Sequence, residues 1–399
     1  MNIVHVEDMF YPTAGYQLNI IPKYMARYGH KVTIIASKME DIPVHLTTFF
    51  GRERIKAEDD EYTKQTGVTV IRLPLKGFIS GRAVFGKELD EQIRAIAPDI
   101  LYVHGNDSLT GIRYICKSKR LKMPIILDSH MLEMAARNPF SKAFHFFYRH
   151  FITPTIIKNK ITILRTADDD YVERCLGIPL SQCPLMPFGS DIMLFHPDDN
   201  AKSNFRQKHG IEQDAFVVVY TGKLDEAKGG FLLAQAFEHK FASRKKIVLL
   251  VVGNIASGSY GGNVDELFVR SENRVIRFPT QKYIDLPVFY QASDLSVFPK
   301  QCSLSFFDAQ ACGLPVVFED NFINQHRSLY GNAYCYKEND VSDFRKKILM
   351  CIETQSDQYQ EMKRKAANFV NSNYNYDTIS QKYMEILESE YRKAKVKKG

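Results

Sequence analysis

The sequence has no paired cysteine spacing, no long apolar run, no basic leader and no glycine-rich dinucleotide fingerprint. Its seven cysteines are odd in number and include no Cys-x-x-Cys. That argues against a disulfide framework and for a reducing compartment. No His/Cys cluster suggests a structural metal. No stretch of about 20 apolar residues exists, so no transmembrane helix is expected. The opening MNIVHVEDMF lacks a charged start and an apolar run, so a signal peptide is not expected either. The absence of Gly-x-Gly-x-x-Gly disfavours a nicotinamide-dependent dehydrogenase. Strong charge of one sign is also missing: 53 Lys+Arg against 46 Asp+Glu gives +7. So mild an excess suits an anionic substrate, a membrane surface or merely a lysine-rich solvated exterior, and no nucleic-acid partner is expected.

What is present is ordinary globular material on a large scale. The 399 residues are 45% hydrophobic and 25% charged, enough for a sizeable core and two or three domains. Short apolar runs alternate with helical patterns throughout. NIVHV, HKVTIIAS, VTVIRLPL, DILYVHG and PIILDSH form a first series of strands, and AFVVVYTGK, KIVLLVVGN, NRVIRFP, LSVFPK and LPVVFED form a second. Strand–helix–strand repetition implies parallel sheets with crossover helices, and two such series imply two doubly wound α/β domains. The periodicity breaks at PFGSDIMLFHPDD, 187–199, which places the boundaries at 1–190, 191–375 and a terminal helix and tail over 376–399.

Two segments depart from this rhythm. Residues 47–67 are polar and mixed in charge, and read as a mobile loop before a strand. Residues 131–160 interleave Phe140, Phe144, Phe146, Phe147, Tyr148 and Phe151 with Lys142, Arg149 and His150. That stretch is either a core helix with an aromatic face or a surface that meets a lipid-linked molecule.

Several strand ends carry polar residues. In VEDMFYPTAGYQLNI a strand runs into Gly15 and a helix start, where free N–H groups can meet a diphosphate or sugar hydroxyl, or where the turn is only a turn. In VVYTGKLDEAKGG, Gly222 and Lys223 follow a strand and Lys228 stands at a helix start. Two cations a turn apart can neutralise a leaving diphosphate, or can be solvated lysines. In FPKQCSLSFFDAQACGLPVVFED, Asp308 lies near a helix start, where the dipole favours it, and its two oxygens also match a vicinal diol. Ser303 and Ser305 precede it. Asp128-Ser129-His130 ends one strand and His104 with Asn106 another, at the end of a parallel sheet where ligands bind, although a lone histidine is as readily structural.

Taken together, these stretches resemble the retaining glycosyltransferases of family 4, of the glycosyl transferases group 1 kind. The resemblance runs in order over almost the whole chain through RYGHKVTII, DSH, PFGSDIMLFHPD, TGKLDEAKGG, VVGN, NRVIRFP and YQASDLSVFPKQCSLSFFDAQACGLPVV. It implies the GT-B fold: two Rossmann-like domains facing across a cleft, the first binding the acceptor and the second the nucleotide sugar, with the C-terminal helix returning to the first. By the same resemblance Lys223 and Lys228 grip the donor diphosphate, with Lys223 where the family usually has Arg. Asp308 holds the ribose where the family usually has Glu, and His130 and Lys223 and Lys228 are the catalytic set. Gly15, Gly222, Ser303, Leu304 and Ser305 lie beside the diphosphate, and the backbone of Arg277, Phe278 and Pro279 beside the base. The family's first Glu, eight positions before Asp308, is Lys300 here; Gln301 or another neighbour then replaces its hydrogen bonds, the donor differs, or the protein is catalytically weak.

The reaction implied is transfer of a hexose or N-acetylhexosamine, with retention, from a nucleoside-diphosphate sugar, UDP-sugar preferred, to a hydroxyl of a glycan or lipid-linked acceptor. No cofactor or metal is required, and no Asp-x-Asp metal site is expected. The setting implied is bacterial capsule or cell-envelope synthesis in the cytoplasm, with peripheral contact at the cytoplasmic face of the inner membrane for a lipid-linked acceptor. A GT-B sugar-nucleotide epimerase and a nucleotide-sugar-binding partner of another glycosyltransferase are the alternatives.

Overall fold

Each apolar run becomes a strand, and the strands assemble into two separate sheets. The computed structural model describes residues 1–47, 53–130, 140–166, 168–300 and 303–396. The chain divides into two compact units, Met1–Phe188 with Asp377–Gly399, and Gly189–Tyr376.

The first unit contains β1 (Asn2–Glu7), β2 (Lys31–Ser37), β3 (Thr69–Leu73), an antiparallel pair of β4 (Leu75–Ile79) and β5 (Arg82–Phe85), β6 (Ile100–Val103), β7 (Ile125–Ser129) and β8 (Thr162–Arg165). Its main sheet is parallel in the order β3-β2-β1-β6-β7-β8. The second unit contains β9 (Phe216–Thr221), β10 (Ile247–Val252), β11 (Arg274–Phe278), β12 (Leu295–Phe298), β13 (Val316–Glu319) and β14 (Ala333–Tyr336), parallel in the order β11-β10-β9-β12-β13-β14. Both sheets therefore reverse strand order at the same place, β1/β6 and β9/β12. Loops there leave toward opposite faces and open a crevice at the carboxyl ends of the strands.

The central strands are buried along their whole length because helices cover both faces. FVVVYT and IVLLVV of β9 and β10 have no exposed position, and their β-branched residues suit the pleat. Val218, Leu249 and Val297 pack with Leu233 and Phe237 of the helix Gly230–Glu238. Val4, Leu101 and Leu127 pack with Leu89, Ile93 and Tyr114 in the first unit. Each such side chain contributes about 1.5–3 kcal/mol by burial.

The C-terminal helix Tyr376–Val396 returns to the first unit, as the fold class implies. Tyr383 and Leu387 are buried, the Tyr383 ring lies 6.4 Å from Tyr102, and the Tyr28 hydroxyl donates to the Asp377 carboxylate at 2.7 Å.

The expected mobile loop at 47–67 is corrected: Ile55–Thr66 is a helix. Its composition is polar because only a narrow stripe is buried, Ile55 and Tyr62, seven positions apart and so on one face. The Tyr62 hydroxyl donates to the Asn19 carbonyl at 2.8 Å, Arg72 forks onto Asp59 at 2.6 and 2.8 Å, and Gly67 at φ 75° ends the helix. Of the segment 131–160, residues 140–160 are described, and they divide between core and surface. Tyr148, Ile152 and Ile156 enter the core, while Phe140, Phe146, Phe147 and Phe151 are exposed.

Candidate functional site

Strand β9 ends at Thr221, and the chain turns at Gly222, φ 150°. Beside it β10 ends at Gly253, φ 148°. A β-carbon on Gly253 would lie 1.9 Å from the Gly222 carbonyl oxygen, so only glycine lets these backbones meet. The Gly253 N–H donates to the Phe278 carbonyl at 3.0 Å, carrying the contact to the end of β11.

Beyond Gly222 the loop is tied down residue by residue. The Tyr220 hydroxyl donates to the Lys223 carbonyl at 2.6 Å, and the Asp225 carboxylate accepts the Lys228 N–H at 2.9 Å. Gly229, φ 72°, then leads into the helix Gly230–Glu238, whose first two N–H groups are taken locally, Gly230 by the Asp225 carbonyl at 3.0 Å and Phe231 by the Tyr260 hydroxyl at 2.9 Å. A β-carbon on Gly229 would lie 3.0 Å from Pro299 and from Lys300. The Lys228 loop is thus pressed against the loop leaving β12. Lys223 is exposed and Lys228 half-buried.

Asp308 sits in the first turn of the helix Ser305–Ala311 and is buried. Its Oδ1 accepts the Ser190 hydroxyl at 2.7 Å and the Tyr283 hydroxyl at 3.1 Å. Burial raises its pKa to about 7, with the two hydroxyls pulling the other way. The Tyr290 hydroxyl bonds Ser305 and, at 2.6 Å, the Thr221 hydroxyl. A hydrogen-bonded path therefore joins the end of β9 to the helix that carries Asp308. The Ser305 N–H donates to the Ser303 hydroxyl at 3.3 Å, and Leu304 stands between them at the helix start.

Arg277, Phe278 and Pro279 lie along the same edge, two strands from β9. Their side chains are occupied elsewhere: Arg277 pairs with Asp265, and the Phe278 ring packs 4.9 Å from Phe289. Gln301 lies outside the described residues. Lys300 faces Glu319 at the end of β13. Burial raises the Glu319 carboxyl, against a 3.0 Å bond from the Asn339 N–H and the Lys300 charge.

In the first unit the corresponding edge gathers histidines and carboxyls. His104 Nδ1 lies 2.6 Å from Asp128 Oδ2, His130 Nε2 3.1 Å from the same oxygen, and the Gly105 N–H donates to Asp128 Oδ1 at 2.7 Å. His5 Nδ1 lies 3.0 Å from His104 Nε2. Burial pushes the Asp128 carboxyl up, but His130 and His104 hold it well below its ordinary value. Burial works against the His130 imidazolium, and Asp128, with Glu7 and Asp107, raises it above the usual range. Burial raises Glu7, and burial with the Glu7 charge lifts Asp8 to about 7. Gly15 precedes Tyr16, which caps the helix Gln17–Arg27; Asn19 accepts the Tyr16 N–H at 3.2 Å.

Gly222, Lys223, Lys228, Ser303, Leu304, Ser305 and Asp308 thus surround the β9/β12 reversal, while Gly15 and His130 stand on the carboxyl edge of the other sheet. Sequence reasoning passed over Ser190, Thr221, Tyr283 and Tyr290, which hold Asp308 and Ser305. Tyrosines in an apolar background give no signal of that role. It also passed over His5, whose polar ring inside the apolar run NIVHV is a readable signal.

His104, Asp128 and His130 are the one trio of metal-type donors among the described residues, all within 4.8 Å. A tetrahedral zinc ion keeps its ligand atoms roughly 3.3 Å apart, from bonds near 2.0–2.1 Å. The 2.6 Å contact is shorter and is that of a hydrogen bond. Asp168, Asp169 and Asp170 spell the Asp-x-Asp that the sequence reading did not expect. They are engaged locally, with Arg165 at 2.9 Å, the Tyr171 N–H at 3.2 Å and Arg174 at 3.2 Å.

Two Rossmann-like units with polar strand ends at a shared order reversal define the class, the GT-B fold. Solved structures agree: a glycosyltransferase from Rickettsia africae superposes with TM-score 0.75 at 14% identity over 98% of each chain. Anabaena Alr3699/HepE in complex with UDP-glucose does so with TM-score 0.72 at 17% identity, over 98% of this chain and all of that one. Residues 201–369 match the family Glycosyl transferases group 1, and the second unit carries a domain of that family. Family 4 is consistent with this. The D-inositol 3-phosphate glycosyltransferase of Segniliparus rotundus is 32% identical over 141 residues, 33% of this chain and 30% of the relative. The lipopolysaccharide 1,2-N-acetylglucosaminetransferase of Salmonella typhimurium is 25% identical over 209 residues, 49% of this chain and 54% of the relative. The chain spans only about a third of the length of the first curated relatives it matches.

Proposed function

We propose that the protein is a metal-independent retaining glycosyltransferase that moves a sugar from a UDP-sugar to a hydroxyl of a glycan or lipid-linked acceptor in cell-envelope or capsule synthesis. The observation that carries this reading is the β9/β12 edge, where Gly222, Lys223, Lys228 and the Asp308 helix converge on the place where a parallel sheet takes a nucleotide. The neighbour's complex with UDP-glucose and the group 1 match support the donor class.

In this reading the donor C–O bond breaks first, through an oxocarbenium-like state. Negative charge grows on the leaving diphosphate, and Lys223 and Lys228 stabilise it, by several kcal/mol in a dry site. The acceptor hydroxyl attacks from the same face, and the leaving phosphate oxygen takes its proton, so no paired carboxylates are needed. Asp308 clasps the ribose with the oxygen that Ser190 and Tyr283 do not occupy.

Contact with an anionic membrane follows from 140–160. Four exposed phenyl rings stand there with Lys142, Arg149, Lys158 and Lys160, and no acidic residue interrupts them. A nucleotide-sugar-binding partner without turnover is the second reading. Lys300 favours it by placing a cation, already facing Glu319, where the resemblance implies a carboxylate.

Incubation with UDP-glucose, UDP-N-acetylglucosamine and polyprenyl-linked acceptors, followed by mass spectrometry of products, separates the readings. An acceptor heavier by one sugar supports transfer, conversion of the donor alone supports epimerisation, and binding without either product supports the second reading.

A further inference from the structure

The chain His5–His104–Asp128–His130 meets at one oxygen, Oδ2, of a buried carboxylate, and its protons can be assigned. Asp128 accepts only, so His104 Nδ1 and His130 Nε2 each carry the hydrogen that points at Oδ2. His5 is buried, and burial, with the neighbouring His104, holds it well below its ordinary value as a neutral ring. Its Nε2 is buried with no partner among the described residues. A bare ring nitrogen is less costly there than an orphaned N–H, which puts the His5 hydrogen on Nδ1, donating to His104 Nε2.

The rings are held as firmly as the protons. His104 stacks on Tyr102 at 4.5 Å and 19°, and His130 lies between His104, at 6.4 Å and 17°, and Phe188, at 5.9 Å and 22°. With Gly105 on Oδ1 and two imidazoles on Oδ2, the carboxylate has no second rotamer that keeps its bonds. The His130 side chain is 38% exposed, and no described residue bonds its Nδ1.

We propose that Asp128 is a positioning residue for His130: held by β1, β6 and β7 through His5, His104 and Gly105, it fixes the Nε2–H of His130 inward and so leaves Nδ1 to a hydrogen bond with the ligand. The sheet then sets the ring. This rests on the glycosyltransferase reading only for what the ligand is. The charged and titratable groups facing His130 are Asp128, His104, Glu7 and Asp107, three of them acidic, and the acids raise the imidazole against its burial.

Two measurements test it. Long-range proton–nitrogen correlation on histidine-labelled full-length protein, with His130→Gln for assignment, is expected to show His130 protonated on Nε2 at pH 7.5, with a slowly exchanging Nε2–H. A His130 ring that titrates as a free imidazole, or exchanges its Nε2–H freely, overturns the proposal whether or not any variant folds. The second is a double-mutant cycle on UDP release from UDP-glucose. Asp128→Asn is expected to lower kcat roughly tenfold or more in the native background and to have no further effect in His130→Ala. An equal loss in both backgrounds marks Asp128 as structural and contradicts the proposal. If the native protein releases no UDP, the glycosyltransferase reading falls and the nuclear resonance result alone decides the proposal.

Discussion

Asp308 is a buried carboxyl of the second unit, held by two hydroxyls. Its pKa of about 7 in the folded chain, against an ordinary 3.8, means the folded state binds more protons than the unfolded state between those values. Stability therefore falls as pH rises through that window and levels off above it. Asp308→Asn keeps an oxygen for Ser190 and Tyr283 and removes the ionisation. Its melting temperature is expected to exceed the native one by a margin that widens from pH 5 to pH 8, as scanning calorimetry at both pH values can show; a constant margin contradicts the buried-carboxyl account. In the proposed reading Lys228 acts on the donor diphosphate rather than on stability. Lys228→Ala is expected to lower kcat for UDP release roughly a hundredfold with little change in melting temperature, whereas unchanged kinetics remove it from the site. Gly253 is the strictest backbone position. Gly253→Ala drives a β-carbon into the Gly222 carbonyl, and a loss of at least about 2 kcal/mol in urea unfolding is expected.

Elements built on apolar periodicity were the legible ones. NIVHV, AFVVVYTGK and KIVLLVVGN announce buried parallel strands because every position must be apolar when helices cover both faces. The helix Ile55–Thr66 was not legible, because two buried residues in twelve give too narrow a stripe to outweigh its charge. Tyr62→Phe tests its anchoring: loss of the bond to Asn19 is expected to cost about 0.5–1.5 kcal/mol by chemical denaturation, and no change means the helix is held otherwise. At the site, cations after a strand and an acid at a helix start could be read directly. The hydroxyl network of Ser190, Tyr283 and Tyr290 could not, since its members are 118, 25 and 15 or more positions from the groups they serve and only the fold assembles it. The segment 140–160 carries its own test. Phe146→Ser with Phe151→Ser is expected to weaken cosedimentation with phosphatidylglycerol vesicles at least tenfold, and native binding is expected to fall with salt.

The whole molecule repeats one solution twice, a six-stranded parallel sheet whose order reverses beside its first strand, with polar residues collected at that reversal. The C-terminal helix completes the first unit with Tyr383, Met384 and Leu387, so truncation after residue 376 is expected to lower the melting temperature of that unit while the second retains its own transition. The reading of the entire chain turns on whether the second unit grips a diphosphate. Isothermal titration of UDP and of uridine into the native protein and Lys228→Ala measures this most directly. The account predicts one UDP site per chain, far weaker binding of uridine, and loss of most of that difference in the variant. Equal affinity for UDP and uridine, or an unaltered UDP isotherm in Lys228→Ala, would contradict it.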